Sequence, residues 1–83
     1  MEYNLNLIPQ RKYCVIKSFT DFDQKIHPVG EAWLFIESNF LPFDSGLTLH
    51  VIKDHIPIVY RLQWRSEQQA EVLDHFNDYV ELC

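Results

Sequence analysis

The chain has 83 residues and a formal net charge of -5, with 47% hydrophobic and 23% charged residues. This length leaves room for one hydrophobic core, and the composition is that of a folded domain, which excludes an intrinsically disordered chain. No apolar run is long enough to span a bilayer, and the first residues lack the pattern of a signal peptide. We therefore expect a soluble, cytoplasmic single domain without membrane association.

The net charge is concentrated at the C-terminal end. Residues 1–65 contain seven acidic and seven basic residues, whereas residues 66–83 contain five acidic residues and no lysine or arginine. An acidic surface repels phosphate backbones and favours basic partners. We therefore expect a basic protein partner and no direct binding of nucleic acid.

The N-terminal part predicts one arm, one strand and one loop. Residues 1–11 alternate weakly up to Pro9, which is typical of an edge strand or an ordered arm. Residues 12–19 are rich in β-forming side chains and predict a strand. Asp21 and Asp23 follow in a turn-favouring loop, where we expect their carboxylates to bind local backbone amides.

A second strand and an apolar loop come next. Pro28 keeps His27 extended and Gly30 permits a bend, so residues 32–38 are predicted as the strand. Both faces of this strand are apolar, which predicts a central position covered on both sides. The loop Phe40-Leu41-Pro42-Phe43 either fills part of the core, the preferred interpretation, or stays exposed as a contact patch.

The last segments predict two strands and a helix. Alternation over 47–51 and 58–64 indicates half-buried antiparallel strands. Ser66 and Gln69 match a capping box, which predicts an amphipathic helix over 66–83 with its apolar face on the sheet. The opposite face would carry the five acids of this segment, Glu67, Glu71, Asp74, Asp78 and Glu81.

The expected fold class is α+β, with an arm or edge strand over 1–11, a sheet over 12–65 and the helix over 66–83. The sheet would be antiparallel with four to five strands, an SH3-like barrel in the preferred version, covered by the C-terminal helix. Consecutive short strands before one helix favour this arrangement. No internal repeat or linker divides the chain.

Neither a catalytic site nor a cofactor or metal site is predicted. The four histidines lack a recognised ligand spacing. Cys14 lies within a strand, where a small buried side chain is the common role, and Cys83 ends the chain. We expect no disulfide framework and a reducing compartment.

Three segments together resemble an uncharacterised bacterial family, the domain of unknown function 3601, which has a Phe-Leu-Pro-Tyr signature. They are His27-Pro28-Val29-Gly30-Glu31, residues 40–47 and Arg61-Leu62-Gln63-Trp64-Arg65. The resemblance covers residues 12–80 and implies a bacterial or phage origin and a compact single domain, but no activity, cofactor or catalytic residue. Phe43 replaces the tyrosine of the signature, so a role of that hydroxyl does not carry over.

The leading functional hypothesis is a non-enzymatic protein-binding domain. Its most concrete form is a small acidic immunity protein or inhibitor that occludes a basic bacterial toxin or nucleic-acid-processing enzyme. Acids of residues 66–83 would imitate phosphate charge, while aromatic side chains would provide a desolvated anchor. The residues expected to bind the partner are Glu67, Glu71, Asp74, Asp78, Glu81, Phe40 and Phe43.

Two other function classes remain open. One is a small β-barrel that binds peptides or acts as a regulatory module, with Trp33, Tyr60 or Trp64 lining its groove. The other is a small enzyme. That class would require a cleft in which a histidine, His27, His50 or His55, lies beside Cys14 or Asp54.

Overall fold

The computed structural model describes residues 5–41, 43, 45–65 and 67–83. Half of these residues are in antiparallel strands. The elements in chain order are β1 (Arg11–Val15), β2 (Phe19–Thr20), β3 (Ile26–His27), β4 (Ala32–Leu41), β5 (Gly46–Lys53), β6 (Ile56–Gln63), α1 (Ala70–Asp74), a 3-10 helix (Phe76–Asp78) and β7 (Val80–Leu82). No helix of the described residues is long and apolar enough to cross a membrane.

Five strands form one antiparallel sheet in the order β6-β5-β4-β1-β7, and β2 pairs with β3 in a separate hairpin. The predicted antiparallel pairing is confirmed, and β4 has the central position expected of it. In the described residues the sheet has two edges, β6 and β7, and does not close. The prediction of an SH3-like barrel is therefore wrong.

The register of the sheet follows from two local features. Asp54 and His55 connect β5 to β6 with φ of 53° and 68°, the left-handed backbone that two-residue hairpin turns need to match the twist of their strands. In β4 the pairing with β5 shifts between Phe35 and Glu37. Such a bulge changes which side chains of the strand face the core.

The hydrophobic core lies on one face of the sheet. Trp33 and Phe35 of β4 are buried there, whereas Leu34 and Ile36 on the other face are only half-buried. Covering of β4 on both sides, expected from its apolar pattern, is therefore wrong. The other strands contribute the buried side chains of Tyr13, Val15, Leu47, Leu49, Val51, Tyr60 and Leu62.

The predicted helix over 66–83 is also wrong. The chain forms one helical turn, Ala70–Asp74, then a 3-10 turn, and then β7, which pairs with β1 through Cys14 opposite Glu81. This pairing fills an edge of β1 that would otherwise expose unpaired backbone groups. A continued helix would have placed Asp78 and Glu81 at its C-terminus, where acids oppose the helix dipole.

The apolar residues of this segment nevertheless point inward. Leu73, Phe76 and Val80 are buried although they belong to three different elements. Their spacing is that of one face of a helix. In the structure a helical turn, a 3-10 helix and a strand bury these same side chains. The periodicity therefore identified these three buried residues correctly, but it omitted the buried Tyr79 and predicted the wrong secondary structure.

The capping interaction differs from the predicted one. Helix α1 begins after Gln69, which makes no side-chain capping hydrogen bond. Its Oε1 accepts instead from the backbone N–H of Gln63, at 2.9 Å, and thereby joins the turn to the end of β6. Ser66, the other half of the predicted capping box, lies outside the described residues.

Cys14 and Cys83 form a disulfide, with their Cα atoms 5.6 Å apart. The expectation that the chain has no disulfide is wrong, because it considered only the number and spacing of the cysteines in the sequence. A helix over 66–83 gives Cys83 no relation to β1, whereas β7 runs antiparallel to β1 and brings the last residue beside it. The cytoplasmic location stays a prediction.

Candidate functional site

The five acids predicted to bind a partner, Glu67, Glu71, Asp74, Asp78 and Glu81, are all exposed. They do not share the face of one helix, because they are distributed over the turn before α1, α1 itself, the 3-10 helix and β7. In the described part of the chain, neither Glu71 nor Glu81 has an ion pair with a lysine or arginine. The charge of these two carboxylates therefore faces solvent.

Trp64 connects the acids to the predicted aromatic anchor. Its ring packs edge-on against Phe40, with the ring centroids 5.8 Å apart. Its indole Nε1 donates to Oδ1 of Asp74 at 2.7 Å. One tryptophan thus touches an aromatic residue of the β4 end and an acid of α1, so the two groups of predicted binding residues meet at the surface.

The segment 40–43, predicted as a loop, begins within β4, which extends to Leu41, and it contains one packed and one exposed phenylalanine. Phe40 is half-buried and packs against the core, whereas the side chain of Phe43 is fully exposed. The loop is held near Trp64, whose backbone N–H donates to the carbonyl of Ser45 at 2.7 Å. Core filling, the preferred interpretation, is therefore right for Phe40 and wrong for Phe43, while Pro42 and Asp44 lie outside the described residues.

We define the aromatic–acidic surface as Phe40, Phe43, Trp64, Glu71 and Asp74. Tryptophan and other aromatic side chains are the usual anchors of protein interfaces, since they remove a large area from water with few rotatable bonds. Exposed carboxylates beside them attract a basic partner and orient it. This combination of side chains can bind a protein.

A second constellation, which the sequence did not reveal, surrounds His27. The imidazole is 1% exposed and lies between two carboxylates, with Nε2 2.8 Å from Oδ2 of Asp21 and Nδ1 2.6 Å from Oε1 of Glu31. Ionised carboxylates only accept hydrogen bonds. Both contacts are satisfied together when the ring is an imidazolium that donates from both nitrogens.

Local turns place the two carboxylates. Oδ1 of Asp21 accepts from the backbone N–H groups of Asp23 and Lys25, at 2.9 and 3.0 Å, which confirms the predicted binding of local amides. Gly30, with φ of 98°, reverses the chain after Pro28 so that Glu31 returns to the histidine four residues before it. A side chain is strained at such a φ, and glycine is not.

The remaining contacts of Glu31 extend the network into the sheet. Its Oε1 also accepts from the indole Nε1 of Trp33 at 3.1 Å, and Nζ of Lys53 lies 3.4 Å from its Oε2. Both ring nitrogens of His27 are occupied by carboxylates, so neither is available to a substrate. We interpret the network as a structural clamp between the β2–β3 hairpin and the sheet.

Two aromatic rings enclose the imidazole. Phe19 stacks on it at 4.6 Å between centroids, and Tyr60 meets it edge-on at 4.3 Å. Burial, together with the negative charges of Glu31 and Asp21, raises the pKa of Tyr60 to about 12. Tyr60 is therefore a neutral phenol at ordinary pH, able to donate a hydrogen bond.

The chain also matches a known family over almost its whole length. A family model described as a domain of unknown function, DUF3601, covers residues 2–83. The chain belongs to this family. Among solved structures, an integron cassette protein from the mobile metagenome of Vibrio cholerae resembles this DUF3601 domain with a TM-score of 0.91 and 28% identity, over 100% of this chain and 93% of that chain. The search of curated proteins gives no match.

The cleft required for a small enzyme is not formed by the residues named for it. In the DUF3601 domain, Cys14 is in the disulfide, His50 contacts the amide of Asn39 at 3.1 Å, and His55 lies in the β5–β6 turn. No group of three or more His, Cys, Asp or Glu side chains within the described ranges is arranged to hold a metal ion.

The sequence contained one indirect signal of the His27 network. His27 and Glu31 are the first and last residues of a segment that carries the resemblance to the DUF3601 family. In an extended segment, a spacing of four residues does not predict contact between the two side chains. The turn at Gly30 brings them together. The sequence placed Asp21 in a turn, and nothing in it indicated contact with His27.

Proposed function

We propose that this DUF3601 domain is a non-enzymatic protein-binding domain whose aromatic–acidic surface docks on a basic protein. The most concrete form is an immunity protein or inhibitor that occludes a basic toxin or nucleic-acid-processing enzyme. The observation that carries the proposal is the contact of Trp64 with both Phe40 and Asp74. It joins an aromatic anchor to the acidic segment on one surface.

Exposure of Phe43 supports the same proposal. A fully exposed phenylalanine at a loop has no stabilising role within its own chain, whereas in an interface it removes a large apolar area from water. The backbone N–H of Trp64 donates to Ser45, two residues after Phe43, and its indole is held in place by the carboxylate of Asp74. In this mechanism Glu71 and Asp74 orient the partner, and Phe43 and Trp64 keep it bound.

The β-barrel version of the peptide-binding alternative loses its main support. The sheet of the described residues does not close, and Trp33, one of the residues named for the groove, is buried in the core. Trp64 belongs to the aromatic–acidic surface. Tyr60 lines a separate groove between the β2–β3 and β5–β6 hairpins.

The test compares capture of proteins from an extract of the source organism by the immobilised wild type and by two variants. E71K reverses one acidic charge of this surface, and F43A removes the exposed ring. We expect the wild type to retain a basic protein at low salt, with retention falling steeply as ionic strength rises. Both variants should lose that protein.

The matched control is E37K, because Glu37 is an exposed acid on the other face of the sheet. E37K changes the net charge of the chain by the same amount as E71K does. It should leave the retention of the basic protein unchanged. If the wild type and E71K retained the partner equally, or if E37K lost it as E71K does, the aromatic–acidic surface would not be the surface that binds the partner.

A further inference from the structure

A groove with a volume of about 290 Å³ lies against the His27 network. The residues that line it are Lys25, Ile26, His27, Glu31, Lys53, Ile58 and Tyr60. The β2–β3 hairpin provides one side and the β5–β6 hairpin the other. The groove is separate from the aromatic–acidic surface.

Tyr60 gives the groove a polar group without a partner. The residue is 4% exposed, and its hydroxyl makes no hydrogen bond with any group in the ranges that the structure describes. The hydroxyl is not among the buried atoms without a partner, so it is reached by solvent. Because Tyr60 lines the groove, its hydroxyl is placed to donate to a molecule bound there.

The groove is lined by two lysines and one carboxylate, that of Glu31. The carboxylates of Asp21 and Glu31 are already bound by His27, Trp33 and local amides. Lys53 contacts Glu31 only at 3.4 Å and is 35% exposed, and Lys25 is exposed without an ion pair among the described residues. An incoming anion therefore finds two lysines and a hydroxyl donor beside satisfied acids.

We propose that this groove binds a small aliphatic carboxylate. The carboxylate accepts a hydrogen bond from the Tyr60 hydroxyl and pairs with Lys25 and Lys53, while its hydrocarbon part lies on Ile26 and Ile58. Ile26 is among the most exposed aliphatic residues of the chain, at 71%. Covering this side chain with a short alkyl group removes apolar surface from water at no cost in polar contacts.

The experiment titrates hexanoate into the folded protein, oxidised at Cys14 and Cys83, and follows backbone amide signals by two-dimensional NMR. Hexan-1-ol and hexylamine serve as neutral and cationic probes of the same chain length, and inorganic phosphate as an anion without an apolar part. We expect saturable shifts at Ile26, Ile58 and Tyr60 with hexanoate, and weaker binding of the other three probes.

Three variants assign the contacts. Y60F removes the donor and should weaken hexanoate binding about tenfold or more, since hydrogen bonds to charged groups are worth more than neutral ones. K25Q should weaken it about two- to fivefold, as expected of an exposed ion pair. K12Q is the control, because Lys12 is exposed on β1, away from the groove.

Two results would overturn the proposal. One is an absence of saturable shifts with hexanoate, or shifts of equal size with hexan-1-ol, which would show a merely apolar contact. The other is unchanged affinity in Y60F when its amide spectrum confirms the native fold. Neither result depends on whether the aromatic–acidic surface binds a protein, because the groove variants leave that surface intact.

Discussion

Reduction of the Cys14–Cys83 disulfide should destabilise the domain more than most single substitutions would. The bond joins residues 69 apart in the sequence and therefore constrains almost the whole unfolded chain. In the chain-entropy model, a loop of this length corresponds to about 4 kcal/mol of stabilisation at room temperature. A small domain has only about 5–15 kcal/mol in total, so the loss is a large part of its stability.

Urea unfolding followed by tryptophan fluorescence measures this effect, since Trp33 is buried in the core and becomes exposed on unfolding. The free energy of unfolding is compared for the oxidised protein, for the protein reduced with a dithiol, and for C14S/C83S. The reduced protein and the double variant should both lose about 3–4 kcal/mol. Adding the dithiol to C14S/C83S should change nothing, which excludes a solvent effect.

Two results would refute this reasoning. Titration of the untreated folded protein with a thiol reagent should find no reactive thiols, so two thiols would mean that the bond is absent. Alternatively, release of two thiols with a loss below about 1 kcal/mol would mean that β7 remains on β1 in the reduced chain and that the loop constrains little.

Four further results are expected. The Tyr60 hydroxyl should ionise at about pH 12 instead of 10.0, seen as a tyrosinate absorbance step absent from Y60F. Since the folded pKa is raised, the associated stability is complete below pH 10 and is lost towards pH 12, by up to about 3 kcal/mol. H27L should lower the free energy of unfolding in urea by about 3–5 kcal/mol, because two buried carboxylates lose their partner; a loss below about 1 kcal/mol would contradict the clamp. G30A should cost about 1–2 kcal/mol at its φ of 98°, in thermal unfolding. H55G should raise stability by up to about 1 kcal/mol, because glycine suits the φ of 68° there, and a lower melting temperature would contradict this.

The strands could be predicted because their physics is local. Residues of β5 and β6 alternate between core and solvent over most of their length, and the two-residue turn joins them directly. The central strand was found from its apolar residues, but its second face stays half-buried. An apolar pattern shows which side chains of a strand can be buried. Whether both faces are buried depends on the number of layers that pack on the sheet.

The C-terminal segment could not be predicted because its structure depends on a distant partner. Val80 to Leu82 become a strand only when β1 offers an edge far away in the sequence, and the disulfide follows from the same pairing. The His27 network has the same origin. Asp21, His27 and Glu31 meet because a hairpin and a glycine turn bring them together, and neither turn produces a recognisable motif.

The arrangement of β6 makes the two proposed binding sites independent. Tyr60 lines the groove and Trp64 follows the end of the strand, so four residues of extended chain, about 13 Å, separate them. Substitutions that far apart, without shared contacts, usually have additive effects. Y60F should therefore leave partner capture unchanged, and F43A should leave hexanoate binding unchanged. If either variant impaired both activities without unfolding the domain, the two surfaces would have to be parts of one site that extends along β6.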